Sequence, residues 1–492
     1  MHTRRWLAVT LLAICVPMAS AAEPAVFTPL TEEQAAAKRS TIEKIAVDPA
    51  GERPNIVLLF ADDLGYAELG CYGSKHIPTP HIDNLASDGI KFTNAYVTAG
   101  TCSPSRAGLL SGRYQHRFGF EFNTGSARIT RRLGRGLDPS AITLADVLQH
   151  AGYATGMVGK WHLGNRTQYH PHERGFDEFF GFLAGAHHFV DPSTLSPQAK
   201  AIQVGGGSSG AILRGTEPVN EDEYLTDAFA REAVAFIERH KADPFFLYVP
   251  FNAVHTPIQA TDKYLARFAD VDDLKRRTFY AMTSAMDDAV GQVLQALKAN
   301  NLVDNTLVIF FDDNGGPLYT GVQSNHPLRF GKLFLFEGGI RVPLLMRWPG
   351  VIEASQVSDQ LVSALDFFPT LSRLAGADVP ESLALDGVDL SGWLQGTTDE
   401  VPSAPLFWRN GTNKAMRNSK WKLIEVPDHV WLFDLAADVG ERHNLAEQYP
   451  DVVREMQREY KQWEAGLKSP AWPAREGRLQ QMIDGVTYEI QI

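Results

Sequence analysis

Four short apolar runs, each closed by residues with chemistry to offer, constrain this chain more than any other feature. "PNIVLLF" leads into Ala61-Asp62-Asp63, "GYATGMV" into Gly159-Lys160-Trp161-His162, "DPFFLYVPF" into Asn252-Ala253-Val254-His255, and "NTLVIFF" into Asp312-Asp313-Asn314-Gly315. A run that is apolar on both faces is a strand covered on both faces, as in a mostly parallel sheet with helices above and below. In open sheets of that kind, ligands collect beyond the carboxyl ends of the strands. Four such ends carrying Asp, Lys, His and Asn predict one site at one end of the sheet.

Helical periodicity separates the runs. In "SAITLADVLQHAGY" apolar residues recur every three or four positions, with Thr143 placed to cap the helix and Gly152 to stop it. "YLTDAFAREAVAFIERH" and "FYAMTSAMDDAVGQVLQALKANN" read the same way. The alternation gives an α/β class: a large, mostly parallel mixed sheet flanked by helices. From about residue 385 the texture changes. "PLFWRNG", "KAMRNSKWKLIEV" and "HVWLFDLAAD" read as short strands, and "PDVVREMQREYKQWEAGL" as a closing helix. The expected organisation is a main domain over 23–384 and a smaller C-terminal α+β subdomain over 385–492 with a short antiparallel sheet. The polar stretch 24–53 reads as a surface helix or linker, and "VGGGSSGA" at 204–211 as a solvent loop.

Charge and leader narrow the function classes. A formal net charge of -12 argues against general nucleic-acid binding, which needs a broad basic surface. It leaves an anionic substrate open, because a few cations or a metal reverse the field inside one cleft. "MHTRR", then "WLAVTLLAICV", then the small residues of "ASAAE" read as a secretory signal over 1–22, cut near Ala21 or Ala22. The apolar stretch is short for a bilayer span, so no stable membrane insertion is expected. The expected location is periplasmic or secreted. A lipoprotein anchor at Cys15 is the rival, disfavoured by the bulky Ile14. Cleavage leaves Cys71 and Cys102 of the three cysteines, a possible disulfide in an exported protein.

The context of Cys102 points elsewhere. In "TCSPSRAGLLSGRY", Pro104 suits a first helical turn and Arg106 falls one turn after Cys102 on the same face. A thiolate at a helix N-terminus is favoured by the dipole and the free N–H groups, and an anion bound there meets Arg106 as well. Cys102 is thus a nucleophile candidate, against the commoner fate of an inert buried thiol.

Cys102-x-Pro104-x-Arg106 followed by "AGLLSGR" resembles the signature of type I, formylglycine-dependent sulfatases, bacterial polysaccharide sulfatases among them, which share the alkaline-phosphatase-like fold. "PNIVLLFADDLGY", "TPHIDNLASDGIKFTNAYV", "GYATGMVGKWHLG", "VHTPI", "DDNGG" and "GKLFLFEGGIRVPLLMRWPG" follow in that family's order. The resemblance makes 23–384 the catalytic sulfatase domain and implies conversion of Cys102 to formylglycine by a formylglycine-generating enzyme or an anaerobic maturase. It implies Ca2+ held by Asp62, Asp63, Asp313 and Asn314 with residue 102 in its shell, hard oxygen donors that suit this ion. One hydroxyl of the hydrated aldehyde then attacks sulfur, with Asp313 as base. His255 protonates the leaving alcohol with help from Lys332, and His162 takes the second hydroxyl's proton so that sulfate is expelled. Arg106 holds the hydrate, and Lys160, His255 and Lys332 meet the substrate. Asp312, where the family has a small residue, is read as structural.

The implied activity is that of a sulfuric ester hydrolase acting on a sulfated poly- or oligosaccharide. A sulfated galactan such as carrageenan is placed first, with glycosaminoglycans, fucans and ulvan behind it. The remote alternatives are a phosphatase or phosphodiesterase of the same superfold and a catalytically silent carbohydrate-binding relative. His187, His188, His326 and Arg329 are candidate subsite residues, with structural roles equally open. His81 reads as a cap or packing residue. The run Arg128, Arg131, Arg132 and Arg135 offers a grip on a polyanion or, more commonly, a solvated face.

Overall fold

The four apolar runs fold as neighbours in one ten-stranded sheet. The computed structural model describes residues 28–48, 53–207, 210–399, 402–475 and 479–492. The proposed leader, with Cys15, lies outside the described residues, as do two residues of the 204–211 loop. In chain order the sheet comprises β1 (Asn55–Ala61), β2 (Ile90–Phe92), β3 (Ala154–Lys160), β4 (Glu178–Phe182), β5 (Ile212–Arg214), β6 (Glu217–Val219), β7 (Phe245–Pro250), β8 (Thr306–Asp312), β9 (Leu344–Arg347) and β10 (Gln356–Ser358). Their spatial order is β10-β2-β9-β8-β1-β7-β3-β4-β5-β6. The five central strands, β8-β1-β7-β3-β4, are parallel, and antiparallel pairings enter at β9 and β5.

Every residue of β1 is buried. Its alternate side chains feed two separate cores: Ile56, Leu58 and Phe60 pack with α2 (Leu144–His150) and α5 (Phe367–Leu374). Val57, Leu59 and Ala61 pack with α3 (Leu225–His240) and α4 (Leu274–Ala299) on the other face. That double cover is why the run carries no polar alternation. Burying each Leu, Ile or Phe contributes about 1.5–3 kcal/mol, so a one-residue slip of β1 is strongly disfavoured. The register it fixes pairs Ala61 with Asp312, which sets Asp62 beside Asp313. Thr143 caps α2 in a reciprocal box with Asp146, as its position in the sequence predicts.

A smaller, four-stranded sheet is antiparallel: β11 (Leu406–Asn410), β12 (Asn413–Arg417), β13 (Trp421–Val426) and β14 (His429–Asp434). Helix α6 (Pro450–Glu464) lies on one face, its Met456 and Tyr460 against Phe407, Met416, Leu423 and Leu432. The opposite face, with Trp408, Ile424, Trp431 and Phe433, joins the core under the main sheet. Lys422 is buried between Glu337 and Glu441, 2.9 Å from each. A terminal hairpin, β15 (Leu479–Ile483) and β16 (Val486–Ile490), was not foreseen from sequence. It closes over Phe334 and Phe336 through Tyr488, whose hydroxyl accepts from the Leu335 amide at 3.1 Å.

His116 stands where the two sheets meet. Its Nε2 lies 2.9 Å from the Arg409 carbonyl and its ring meets Trp463 edge-on. Burial, only partly opposed by Glu121, pushes it down to about 4. Between about pH 6.5 and 4 the unfolded chain therefore binds more protons at this site than the folded one, and stability falls as pH falls, by up to about 3 kcal/mol. Urea unfolding of the wild type and His116→Gln at pH 7 and pH 4.5 checks this. The variant is expected to lose less stability on acidification, and equal losses would remove His116 from the account.

Candidate active site

Strand ends β1, β8, β7 and β3 deliver Asp62 and Asp63, Asp313 and Asn314, His255, and Lys160 and His162 to one buried pocket. Three cations neutralise its acids. Lys160 Nζ lies 2.5 Å from Asp62 Oδ2. Lys332 Nζ lies 2.6 and 2.8 Å from the two oxygens of Asp63. Arg106 donates from Nε to Asp313 Oδ2 at 2.9 Å, and its Nη2 is 2.8 Å from the same oxygen and 3.7 Å from Asp62 Oδ1. Burial works to raise Asp63, but the Lys332 charge, then His255 and Lys160, outweigh it and hold the carboxyl well below the usual range. For Asp62 burial wins over Lys160 and the carboxyl is pushed well up. Asp312 is also raised, by burial and then by Asp313. Its oxygens accept from the Leu64 and Asp313 amides at 3.0 and 2.8 Å, so it braces the two strand ends.

Helix α1 (Cys102–Ser111), the nucleophile helix, is buried along its whole length. Asn123, a residue the sequence did not single out, accepts the Ser103 amide at 3.1 Å at its open end. Ser103 Oγ donates to the His162 carbonyl at 2.6 Å, which ties the helix to the end of β3. Arg106 also donates to the Lys160 carbonyl at 2.9 Å. Cys102 Sγ sits 3.2 Å from Lys332 Nζ and 3.8 Å from Asp63 Oδ1. The helix dipole and free N–H groups alone would favour a thiolate. Burial instead raises Cys102, against Lys160 and Lys332, and the unmodified side chain stays a thiol. Both described cysteines are free, so Cys71 does not pair with Cys102.

The segment carrying Lys332 packs on the Asp313-Asn314 loop by backbone contact. A Cβ on Gly315 would stand 1.7 Å from the Gly338 carbonyl oxygen, and one on Gly331 would stand 2.1 Å from the Gly316 carbonyl oxygen, so both loops need glycine where they meet. Asn325, also missed in the sequence, accepts from the Tyr66 and Gly316 amides and donates to the Gly316 and Phe330 carbonyls. A polar residue in a loop gives no sequence sign that it is spending every hydrogen-bonding group on backbone.

The histidines divide. His162 is buried with Nδ1 unpartnered, and burial, then Lys160 and Arg106, hold it well below the usual imidazole range and therefore neutral. His255 Nδ1 lies 2.5 Å from the Thr256 carbonyl and its Nε2 3.5 Å from Asp63 Oδ2. The carbonyl fixes the proton on Nδ1 and leaves Nε2 to exchange one. Burial lowers His255 in spite of Asp63 and Asp62. His187 and His188 follow β4 on the turn that carries Gly185 against His162. His187 bonds the His188 and Gly210 carbonyls, and His188 Nδ1 lies 3.1 Å from Gln259 Nε2. Arg329 is committed to the terminal hairpin, with Nη2 2.8 Å from Asp484 and Nη1 2.7 Å from the Glu441 carbonyl. His326 is exposed, and Ser324 Oγ accepts from its amide at 3.2 Å. The Asp287 carboxylate accepts from the backbone amides of His81 and Ile82.

The donors fit a hard divalent cation. Asp62, Asp63, Cys102 and His255 each place a ligand atom within 4.8 Å of one another. Asp62 Oδ1 and Asn314 Oδ1 are buried with no hydrogen-bond partner, and the Asn314 amide reaches Asp63 Oδ1 at 2.7 Å through Nδ2, so turning the amide over brings its oxygen to the carboxylates. Buried carboxylate and amide oxygens of this kind are what Ca2+ uses.

Comparison with known proteins agrees in family. The sequence pattern of the family described as Sulfatase matches residues 54–377, and that described as N-sulphoglucosamine sulphohydrolase, C-terminal, matches residues 326–466. An N-acetylgalactosamine-6-O-sulfatase of Bacteroides thetaiotaomicron is 33% identical over 482 residues, 82% of this chain and 92% of that protein. The human N-acetylgalactosamine-6-sulfatase is 36% identical over 375 residues, 74% of this chain and 69% of that one. The crystal structure of Ps i-CgsB in complex with k-i-k-neocarrahexaose superposes with a TM-score of 0.78 at 38% identity, covering 85% of this chain and 94% of that chain.

Two outcomes are expected from this geometry. Ca2+ added to chelator-stripped protein raises Tm, by about 3 °C at a hundredfold excess over Kd, and Asp63→Asn abolishes the rise. An equal rise in the variant would place the ion elsewhere. A Cβ on Gly185 would stand 2.4 Å from His162 Nε2. Gly185→Ala should therefore keep Tm while turnover falls about 100-fold through the displaced ring. Unchanged turnover would show that His162 has room to spare.

Proposed function

The chain belongs to the sulfatase family, and from that premise we propose that it removes ester sulfate from a galacto-configured sugar, with residue 102 as the precursor of formylglycine. It is a sulfuric ester hydrolase. The observation that carries the mechanistic reading is the position of Cys102 at a buried helix end, with Lys332 at 3.2 Å and Asp63 at 3.8 Å from its sulfur. A thiol kept protonated by burial is a poor nucleophile there, whereas a precursor needs only the right place.

Asp62, Asp63, Asp313 and Asn314 would hold the Ca2+, which would supply a Lewis acid for a sulfate oxygen. Formylglycine at residue 102 supplies, as its hydrate, an attacking hydroxyl and a second hydroxyl that an ordinary serine lacks. The rest is done by side chains already in place. Arg106, with no solvent exposure and bonded to both Asp313 and the Lys160 carbonyl, fixes the carboxylate that receives the attacking hydroxyl's proton. Lys332 and Lys160 put positive charge at the positions that sulfate oxygens approach. His255 delivers a proton to the leaving alcohol from Nε2. Burial keeps this histidine low in the resting site, and the negative charge of an arriving sulfate raises it, so the proton is loaded with the substrate. His162, neutral by burial, accepts the proton released at residue 102.

The sugar is inferred from relatives that agree in one respect. N-acetylgalactosamine-6-sulfate esters and carrageenan fragments differ in polymer, but both present galacto-configured rings. A sulfated galactan is retained as first candidate and a galactosamine-containing glycosaminoglycan as second. The reading includes export to the periplasm or medium, and a formylglycine-generating or anaerobic maturase as partner. Among the described residues no helix is long and apolar enough to cross a membrane.

Sulfate release from a panel of defined oligosaccharides tests the reading. Galactose or N-acetylgalactosamine esters should exceed gluco- and fuco-configured esters by about tenfold or more in kcat/KM. Release confined to gluco-configured units would overturn the sugar. In the same preparation the peptide containing residue 102 should carry the aldehyde mass, and Cys102→Ala should fold yet lose turnover by about 1000-fold or more. A fully active protein with an intact thiol would overturn the mechanism.

A further inference from the structure

Six large apolar side chains stand exposed among the described residues: Leu318, Tyr319, Val357, Tyr449, Leu479 and Met482. Val357, Tyr449, Leu479 and Met482 lie on the sheet edge, before α6 and on the terminal hairpin. Leu318 and Tyr319 are adjacent, 46% and 56% exposed, and sit on the loop that leaves Asp313-Asn314. Resting on the function proposed above, we propose that this pair is a platform for the sugar ring of the substrate, with Tyr319 as its stacking face.

Three features of the molecule carry this. First, the loop is built, so the ring is presented rather than left loose. Thr320 is buried and its Oγ1 donates to the Pro317 carbonyl at 2.7 Å. Gln323 accepts the Gly65 amide at 3.0 Å, and Glu68 accepts the Ser324 amide, which ties the loop to the end of β1. Second, the loop stands at the rim of the reaction site. It starts directly after Asn314, the Gly316 carbonyl accepts the Lys332 amide at 3.3 Å, and Gln323 holds Gly65 beside Asp62 and Asp63. Tyr319 is therefore an exposed aromatic side chain on a loop fixed at both ends to segments that carry the site. Third, the pocket floor is all charge and hydrogen bonding. It can seize a sulfate but offers nothing to the C–H groups of the sugar behind it. An aromatic face, negative at its centre, attracts those C–H groups, and a galacto ring, whose 4-hydroxyl is axial, clears one face of hydroxyls.

Inhibition by the two products separates the parts of the site. Inorganic sulfate reads the charged floor alone, and the desulfated galacto-oligosaccharide reads the platform. In Tyr319→Ala the sugar's inhibition constant should rise about tenfold and KM for the sulfated oligosaccharide should rise with it. The inhibition constant of sulfate should stay within about twofold of wild type, and Tyr319→Phe should behave as wild type because it keeps the face. Unchanged sugar inhibition in Tyr319→Ala overturns the platform while leaving the sulfatase reading intact. A rise in both constants also overturns it, because the substitution then acts through the charged floor. If wild-type protein releases sulfate from no sugar, the functional reading falls and the platform falls with it.

Discussion

Everything at the carboxyl end of the sheet depends on a set of ion pairs that have no water to fall back on. Arg106, Lys160, Asp62, Asp63 and Asp313 have no exposed side-chain surface, and Lys332 has 6%. Moving each such charge out of water costs several kcal/mol, and their mutual attraction offsets this only when every partner is in place. Each of the four strand ends therefore has to arrive at the correct height. The register of β1 against β8 sets that height. The glycine contact between the Asp313-Asn314 loop and the Lys332 segment is a consequence: with a side chain at either position, Lys332 would stand too far away to neutralise Asp63. The pairs are thus a structural requirement before they are a catalytic one.

The same principle reaches the smaller sheet. Glu337 lies a few residues after Lys332, in the same segment, and its carboxylate is buried against Lys422 of β13 and Arg417 of β12. Glu441 accepts the Glu337 amide at 2.7 Å and shares Lys422. The small sheet is accordingly a buttress for the segment that carries Lys332. This explains why its inner face holds Trp408, Trp431 and Phe433 in the main core rather than in a core of its own.

Much of this was legible in the sequence, and the limits have physical causes. The strands showed because double burial forbids polar residues along β1 and β8, and the strand ends showed because catalytic side chains broke that pattern abruptly. The Thr143 cap was legible because a capping box is local. Tyr319, Gly185, Asn123 and Asn325 were not, because each acts across a distance the sequence does not encode. Gly185 matters only through the ring of His162, and Asn325 only through loops on other strands. Arg329 looked like a subsite residue beside Lys332, yet its partner Asp484 lies 155 residues away on a hairpin that sequence did not foresee. The thiolate expected at Cys102 failed for a related reason: a helix end is visible in sequence, whereas the depth at which the fold buries it is not.

The central position of β1 also sets an order of events in time. β1 is the first of the sheet's strands to leave the ribosome, yet the Asp63 amide finds its acceptor on Asp313, 250 residues later. Pairings of such separation are slow to form and leave their early partners waiting. Throughout that wait the nucleophile helix has no lid, since β8 and the Lys332 segment that enclose it are made long after it. A side chain that ends 1% exposed is open to a macromolecule only during this interval. The length of chain between β1 and β8 is therefore also a clock, and it measures how long residue 102 can be reached before the fold closes over it.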